Sequence, residues 1–226
     1  MNGKLFLVAT PIGNYEDITL RALTILKETN FIICEEYKDA RRFLSHFEIE
    51  KELVALNEHN ESEVVNDIIL KLSEGKCAAL ISDCGTPLFS DPGHLLVELC
   101  ISQNIIVSPV PGANSLLPAL TASGLDYDKF YYYGWLSPNK QLRRKQLTDL
   151  RKVKEIIILL DTPYRLKSLM TDIVKVLGKN IKTVLAFQLT MDDEKFFRGT
   201  AEEILKIAEQ KNLKGEFVLI VDNKVR

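Results

Sequence analysis

Ser82-Asp83-Cys84-Gly85-Thr86-Pro87-Leu88-Phe89-Ser90-Asp91-Pro92-Gly93 continues from an apolar run at residues 77–82 and leads into a helical segment. In open α/β sheets, ligands bind outside the carboxyl ends of the strands, so a loop in this position is placed for binding. Gly85 lets a ligand approach the backbone closely, and Pro87 and Pro92 fix the path of the loop. Twelve residues carrying two glycines, two prolines and two aspartates exceed what a simple connection needs, although a well-turned surface loop is the plainer reading. No Gly-Lys-Ser/Thr follows, and no GxGxxG occurs anywhere, which sets aside a Walker-type phosphate loop and a dinucleotide fingerprint.

Outward from this loop, short runs rich in β-branched residues alternate with segments of helical period, the pattern of parallel α/β structure. Strands are expected at residues 5–9, 31–35, 53–56, 77–82 and 105–110. Val64, Val65, Ile68, Ile69 and Leu72 mark one helix face, and Gly75 is its stop signal. Ser108-Pro109-Val110-Pro111-Gly112 makes a continuing helix or central strand improbable, so a boundary is expected there, between domains at 1–111 and 112–226. Beyond it come a small-residue helix at 115–123, strands at 130–133, 155–160, 183–189 and 217–221, and helices at 141–151, 166–177 and 201–210. Residues 195–198 fit an antiparallel strand, which would make the second sheet mixed.

Composition narrows the class. The 226 residues are 46% hydrophobic and 27% charged, which argues for folded globular structure rather than disorder. The first apolar run is too short for a signal-peptide core or a membrane span, so a cytoplasmic protein with no membrane association is expected. Cys34, Cys77, Cys84 and Cys100 form no CxxC pair, and His46, His59 and His94 lack metal-ligand spacing, so no metal is expected. A net charge of −2 and a pI near 6.0 provide no global field toward nucleic acid, so RNA binding would rest on a local patch.

Two further loops, Thr10-Pro11-Ile12-Gly13-Asn14 and Pro111-Gly112-Ala113-Asn114-Ser115, also leave strand ends. With them in place the chain resembles the tetrapyrrole (corrin/porphyrin) methylase superfamily, and within it the bacterial small-subunit rRNA (cytidine-2′-O)-methyltransferase branch. The resemblance rests on Ala9-Thr10-Pro11-Ile12-Gly13-Asn14 with Asp17-Ile18-Thr19-Leu20-Arg21-Ala22-Leu23, on His59-Asn60-Glu61, on residues 82–93 and on Ser123-Gly124-Leu125. It continues through Gly134-Trp135-Leu136, Pro163-Tyr164-Arg165, Arg198-Gly199 and Lys214-Gly215-Glu216, and so covers nearly the whole chain.

The resemblance implies two unlike α/β domains, a mainly parallel sheet in the first and a mixed sheet in the second, with S-adenosyl-L-methionine held in the cleft between them. It implies cofactor contacts from Pro11, Asp83, Gly85, Thr86, Pro87, Ser90, Ser115, Trp135 and Leu136, and acceptor contacts from Glu35, Lys38, Arg42 and Arg165. Glu36, His59 and Glu61 are the candidate proton acceptors, the histidine because it titrates near neutral pH. The implied activity is 2′-O-methylation of a ribose of small-subunit ribosomal RNA by a homodimer; the pI near 6.0, with few phosphate contacts to offer a flexible strand, adds the expectation that the RNA is met in an assembled subunit. Methylation of a tetrapyrrole or other small molecule, and a non-catalytic S-adenosylmethionine- or RNA-binding module, are the alternatives.

The chain departs from the family pattern on the acceptor side. Glu35-Glu36-Tyr37-Lys38 stands where relatives carry Glu-Asp-Thr-Arg, and Thr162-Pro163-Tyr164-Arg165 replaces Ser-Pro-His-Arg. Phe187-Gln188-Leu189-Thr190-Met191 replaces Arg-Glu-Leu-Thr-Lys, and beside the cofactor, rather than the acceptor, Ala113-Asn114-Ser115 makes a milder replacement of Pro-Ser-Ala. The small C-terminal extension common in that branch is not expected here. Arg143-Arg144-Lys145, with Arg151, Lys152 and Lys154, forms a basic helix and exit that could meet phosphates or simply be a solvated face. Tyr131, Tyr132 and Tyr133 have the composition of a stacking platform, though strand alternation would turn some of them into the core.

Overall fold

The computed structural model describes residues 3–89 and 91–224, and the chain divides into two compact units, Met1–Asn114 and Ser115–Arg226. The first unit has five strands, β1 (Lys4–Val8), β2 (Phe31–Cys34), β3 (Glu52–Ala55), β4 (Ala78–Ile81) and β5 (Ile106–Val110). All pair in parallel, in the order β3-β2-β4-β1-β5. Four helices connect them: α1 (Leu20–Glu28), α2 (Tyr37–His46), α3 (Glu61–Ser73) and α4 (His94–Ser102).

A parallel sheet must be covered on both faces, and the strand residues alternate accordingly. Phe31, Ile33 and Leu80 pack with Val65, Ile68 and Leu72 of α3 and with Leu96 of α4. Ile32, Ala79 and Ile81 pack with Ala22, Ile25 and Leu26 of α1 and with Phe43 and Leu44 of α2 on the opposite face. Thr19 caps α1 by accepting the Ala22 amide, and Gly75 ends the α3 turn at a φ of 94°.

The strand order reverses between β4 and β1. From β1 the chain crosses β4 to reach β2 by way of α1, whereas from β4 it crosses β1 to reach β5 by way of α4 on the other face. The two crossovers leave neighbouring strands in opposite directions, which is the topological switch point where such sheets bind ligands. The loops at 10–14 and 82–93 issue from those two strands.

The second unit carries β6 (Phe130–Trp135), β7 (Ile156–Asp161), β8 (Lys182–Phe187), β9 (Lys195–Thr200) and β10 (Phe217–Asp222). Their order is β6-β7-β10-β8-β9, and only β6 and β7 run parallel. The sheet is therefore mixed, with the expected antiparallel strand at its edge. Helices α5 (Leu116–Thr121), α6 (Lys140–Leu150), α7 (Leu166–Val176) and α8 (Ala201–Gln210) complete the unit. Leu147, Leu169, Ile173 and Ile204 from α6, α7 and α8 pack with Ile157, Leu159, Leu185 and Leu219 of the sheet. A capping box opens α8: Thr200 accepts the Glu203 amide while the Glu203 carboxylate accepts the Thr200 amide.

Two local departures bear on the candidate site. β8 ends at Phe187 rather than at Leu189, because Gln188 and Thr190 take φ values of 50° and 66°, which no strand accommodates. β6 is bulged between Tyr132 and Gly134, and Gly134 at φ 78° lets the Tyr132 hydroxyl come within 3.2 Å of where a Cβ would stand. The bulge breaks simple alternation: Tyr131 is exposed, Tyr133 packs against the core, and Trp135 emerges at the strand end 46% exposed.

Candidate functional site

In the first unit, backbone hydrogen bonds join three strand-end loops. The Thr10 amide donates to Gly85 O at 2.9 Å, and the Gly85 amide donates back to Thr10 O at 3.0 Å. The buried Thr10 hydroxyl donates to Ser82 O at 3.1 Å. The Thr86 hydroxyl donates to Ala113 O at 3.3 Å, and the Ala9 amide donates to Val110 O at 3.2 Å. The loops following β1, β4 and β5 are thus one hydrogen-bonded assembly at the carboxyl edge of three adjacent strands.

The 82–93 loop is also conformationally costly. Gly85 has φ 80°, and a Cβ there would lie 3.2 Å from Ile12 Cγ2. Leu88 is left-handed at φ 67°, a position that costs a non-glycine residue about 1 kcal/mol or more. Gly93, at φ 118°, leaves room for Leu88, whose Cδ2 would be 2.8 Å from an added Cβ. Strain of this kind persists where surrounding structure over-determines it, and it concentrates at ligand sites. Pro11 and Pro87 are buried, whereas Asp83 and Thr86 reach the surface. Ser90 lies outside the described residues.

Carboxylates gather at the ends of β2 and β4. Glu35 is half-buried, and its pKa is raised first by burial and then by Asp83, Asp91, Glu36 and Glu58. Asp83 is raised too, by partial desolvation and then by Asp39, Glu36 and Asp91, although the Glu36 amide donates to its carboxylate and opposes the shift. Behind them burial pushes the Cys34 thiol up to about 11, so it stays neutral. A concentration of carboxylates favours a cation, and a carboxyl with a raised pKa is a better proton acceptor near neutrality than an ordinary one. Among the described residues no group of His, Cys, Asp and Glu is arranged to hold a metal ion.

The three candidate proton acceptors are placed differently. Glu36 is exposed at the start of α2. His59 is exposed, with Nε2 3.5 Å from Glu58 Oε1. Glu61 accepts the Leu95 amide at 3.1 Å and so caps the first turn of α4. Between them Asn60 is structural: its side-chain oxygen accepts the Asn57 amide and its Nδ2 donates to Ala55 O at 3.1 Å. On the acceptor side Lys38 is exposed, and Arg42 pairs with Asp39 at 2.8 Å on the surface of α2.

In the second unit, Ser115 precedes α5 and Leu136 is buried immediately after the exposed Trp135. Arg165 donates through Nη2 to Leu136 O at 2.8 Å and Ser137 O at 2.9 Å. Arg143 was expected on a basic face but is 5% exposed and paired with buried Asp172 at 2.7 Å, while Arg144 holds the other oxygen of that carboxylate, also at 2.7 Å. The reading of Arg143-Arg144-Lys145 as one phosphate-facing or solvated group is corrected: among these three only Lys145 is fully at the surface. Helical periodicity places Arg143 and Leu147 on one face, but nothing near Arg143 in sequence names its partner twenty-nine residues away.

The sequence model of the Tetrapyrrole (Corrin/Porphyrin) Methylases matches residues 4–205. The Ribosomal RNA small subunit methyltransferase I of Halalkalibacterium halodurans is 42% identical over 220 residues, which are 97% of this chain and 76% of that protein. The protein of the same name from Thermotoga maritima is 38% identical over 222 residues, 98% of this chain and 99% of that one. Among solved structures, a cobalt precorrin-4 methyltransferase superposes with a TM-score of 0.72 at 17% identity, covering 96% of this chain and 94% of its own. The uroporphyrin-III C-methyltransferase of Thermus thermophilus, solved with S-adenosylhomocysteine, gives 0.68 at 20% identity and covers 99% of both chains.

Proposed function

The chain belongs to the tetrapyrrole (corrin/porphyrin) methylase family, and from that premise we propose that it methylates a ribose 2′-hydroxyl of small-subunit ribosomal RNA. It is an S-adenosylmethionine-dependent methyltransferase. One observation carries the acceptor: identity with proteins named for small-subunit rRNA methylation runs through nearly all of this chain. The likeness to corrin and porphyrin enzymes, by contrast, is one of fold.

The first unit's loop assembly fits such a cofactor. Gly85 keeps a side chain away from the backbone bridge to Thr10, and the carboxylates of Glu35 and Asp83 suit a positively charged sulfonium. Pro11, Asp83, Gly85, Thr86, Pro87 and Ser90 are assigned to cofactor contact, together with Ser115, Trp135 and Leu136. When bound, S-adenosylmethionine supplies an electrophilic methyl group for direct displacement. The protein's task is to bring the acceptor oxygen in line at about 3 to 3.5 Å, with Glu35, Lys38 and Arg42 on the acceptor side. A base then takes the hydroxyl proton and contributes on the order of 100- to 10,000-fold. Glu36 and His59 are better placed for this than Glu61, whose carboxylate already holds the Leu95 amide.

The substrate assigned to this reaction is a nucleotide presented by an assembled small subunit, and the enzyme is assigned to the cytoplasm as a homodimer. With a net charge of −2, few phosphate contacts are available to order a flexible strand, so a pre-shaped particle reduces the cost of binding. Incubation with labelled cofactor and undermethylated small subunits, followed by mapping of the labelled nucleotide, tests the assignment. Label in a tetrapyrrole instead would move the acceptor class. Equal labelling of naked RNA would remove the particle requirement, and tight cofactor binding without turnover would make the protein a binding module.

A further inference from the structure

Leu136, Ser137 and Pro138 leave β6 with three consecutive carbonyls held by two guanidinium groups. Arg165 takes Leu136 O and Ser137 O. Arg143 Nη1 donates to Pro138 O at 3.1 Å and, at 3.4 Å, to Ser137 O. Successive carbonyls of an extended strand point in opposite directions, so collecting three on one side requires a turned backbone. The amide side is held as well, because the Ser137 amide donates to Gln146 Oε1 at 2.8 Å.

The guanidinium groups are themselves anchored from below. Arg143 Nε and Nη2 reach Asp172 Oδ2 at 2.8 and 2.7 Å. Arg165 Nε lies 3.2 Å from Asp161 Oδ1, near enough for an ion pair but misaligned for a hydrogen bond. The Asp172 and Asp161 side chains are 1% and 0% exposed. Buried charge is expensive even when paired, and a connecting turn does not require it. Asn139 already caps α6 by accepting the Gln141 and Leu142 amides, which defines the helix entry without either arginine. The added apparatus acts on the few residues directly behind Trp135.

We propose that Arg165 and Arg143 are positioning residues for the cofactor, fixing the backbone at 136–138 so that Trp135 and Leu136 are ordered before the cofactor arrives. The assignment rests on the reading of Trp135 and Leu136 as cofactor contacts, and it gives Arg165 a role other than direct contact with the acceptor. Arg165 holds both carbonyls through the one Nη2, whose two hydrogens lie fixed in the guanidinium plane while Nε of the same plane stays beside Asp161; the shorter reach and freely rotating donors of an ammonium do not reproduce that arrangement, so lysine is not an equivalent replacement. Order established during folding is not charged against binding, and loss of a charge-assisted hydrogen bond that maintains it costs roughly tenfold in affinity.

The test measures S-adenosylhomocysteine affinity of the full-length protein by calorimetry at a temperature well below unfolding, for Arg165→Lys, Gln146→Leu and Trp135→Ala. Arg165→Lys is expected to weaken binding by about tenfold, with the RNA KM and its salt dependence unchanged. Gln146→Leu loosens the same turn without touching a buried charge, and a loss of about threefold or more is expected. A merely structural role would lower the melting temperature and leave the affinity of the folded protein alone. Normal affinity in the Arg165 and Gln146 variants, with weakened binding in Trp135→Ala, overturns the positioning role alone. Normal affinity in Trp135→Ala removes the underlying cofactor reading and the proposal with it. A raised RNA KM with normal cofactor affinity in Arg165→Lys returns that arginine to the acceptor.

Discussion

The phenol oxygen of Tyr37 lies 3.2 Å from the backbone nitrogen of Ala55 and accepts its hydrogen bond. Ala55 ends β3, the edge strand of the first sheet, and its carbonyl is taken by the Asn60 side chain at 3.1 Å. Two side chains thereby satisfy the outward-facing polar groups at the end of an open sheet edge, a place where unpaired backbone invites association. The bulky phenol at position 37 therefore has a structural use on the edge of the sheet. Tyr37→Phe should destabilise the protein by about 1 kcal/mol in urea unfolding while leaving cofactor affinity as it was. A tenfold loss of cofactor affinity would place Tyr37 in the site instead.

Gly85→Val should abolish binding of S-adenosylmethionine and of its demethylated product in a protein that still folds. Its φ of 80° strains any side chain, most of all a β-branched one, and the new Cβ would press on Ile12 Cγ2. Calorimetry on EDTA-treated wild type and variant, with circular dichroism as the folding control, measures this. Unchanged affinity in the folded variant would move the site away from the Thr10–Gly85 bridge.

Arg143→Ala should cost about 3 kcal/mol or more, because it leaves a buried carboxylate with half its partners. Charge reversal at exposed Lys145, Arg151 and Lys152 should instead leave the melting temperature nearly unchanged. If that surface meets RNA, the same reversals raise the RNA KM and flatten its salt dependence without altering cofactor affinity. An unchanged salt slope would show that the helix exit plays no part in substrate binding.

Stability should pass through a maximum on the acid side of neutrality. Glu35 and Asp83 have pKa values raised by desolvation and neighbouring carboxylates, and burial raises Asp161 and Glu216 as well. The folded state then holds more protons than the unfolded state, so stability increases as pH falls through those raised values. Asp172 has the opposite sign. Burial works against its charge, but hydrogen bonds from Arg144 and Arg143 prevail and hold its pKa below the ordinary 3.8. Its contribution is complete at neutral pH and is lost as pH drops through the depressed folded value. Thermal melts across the acid range check this, and a steady decline beginning at neutrality would contradict it. Over the first part of the range, protonation of Glu35 and Asp83 should weaken binding of the sulfonium cofactor more than binding of its uncharged-sulfur product.

If the chain forms the proposed homodimer, light scattering at micromolar concentration should give a mass near twice 25.6 kDa. A species of 25.6 kDa would show that the chain acts alone.

Much of the architecture is legible in the sequence alone. Apolar runs such as 77–82, and the spaced set Val65, Ile68, Ile69 and Leu72, write their secondary structure into neighbouring residues, because burial on one face imposes a period the sequence must obey. The 82–93 loop was visible for the same reason, since left-handed and sharply turned backbone calls for glycine and proline locally. Leu88 shows the limit of that signal. Its left-handed backbone carries no marker in its residue type, and only the surrounding loop holds it there.

What the tertiary structure alone decided is the employment of the polar side chains. Arg143 looked like a cation available to phosphate, Arg165 like an acceptor contact, and Glu61 like a proton acceptor. In the folded chain they hold the carbonyls of residues 136–138 and the Leu95 amide. A charged side chain is matched by whichever partner folding brings within about 3 Å, and that partner can be twenty-nine residues away, as Asp172 is from Arg143. Hydrophobic periodicity is a property of neighbours along the chain and can be read from them. The partner of a buried charge is a property of distant segments meeting, and it exists only once they have met.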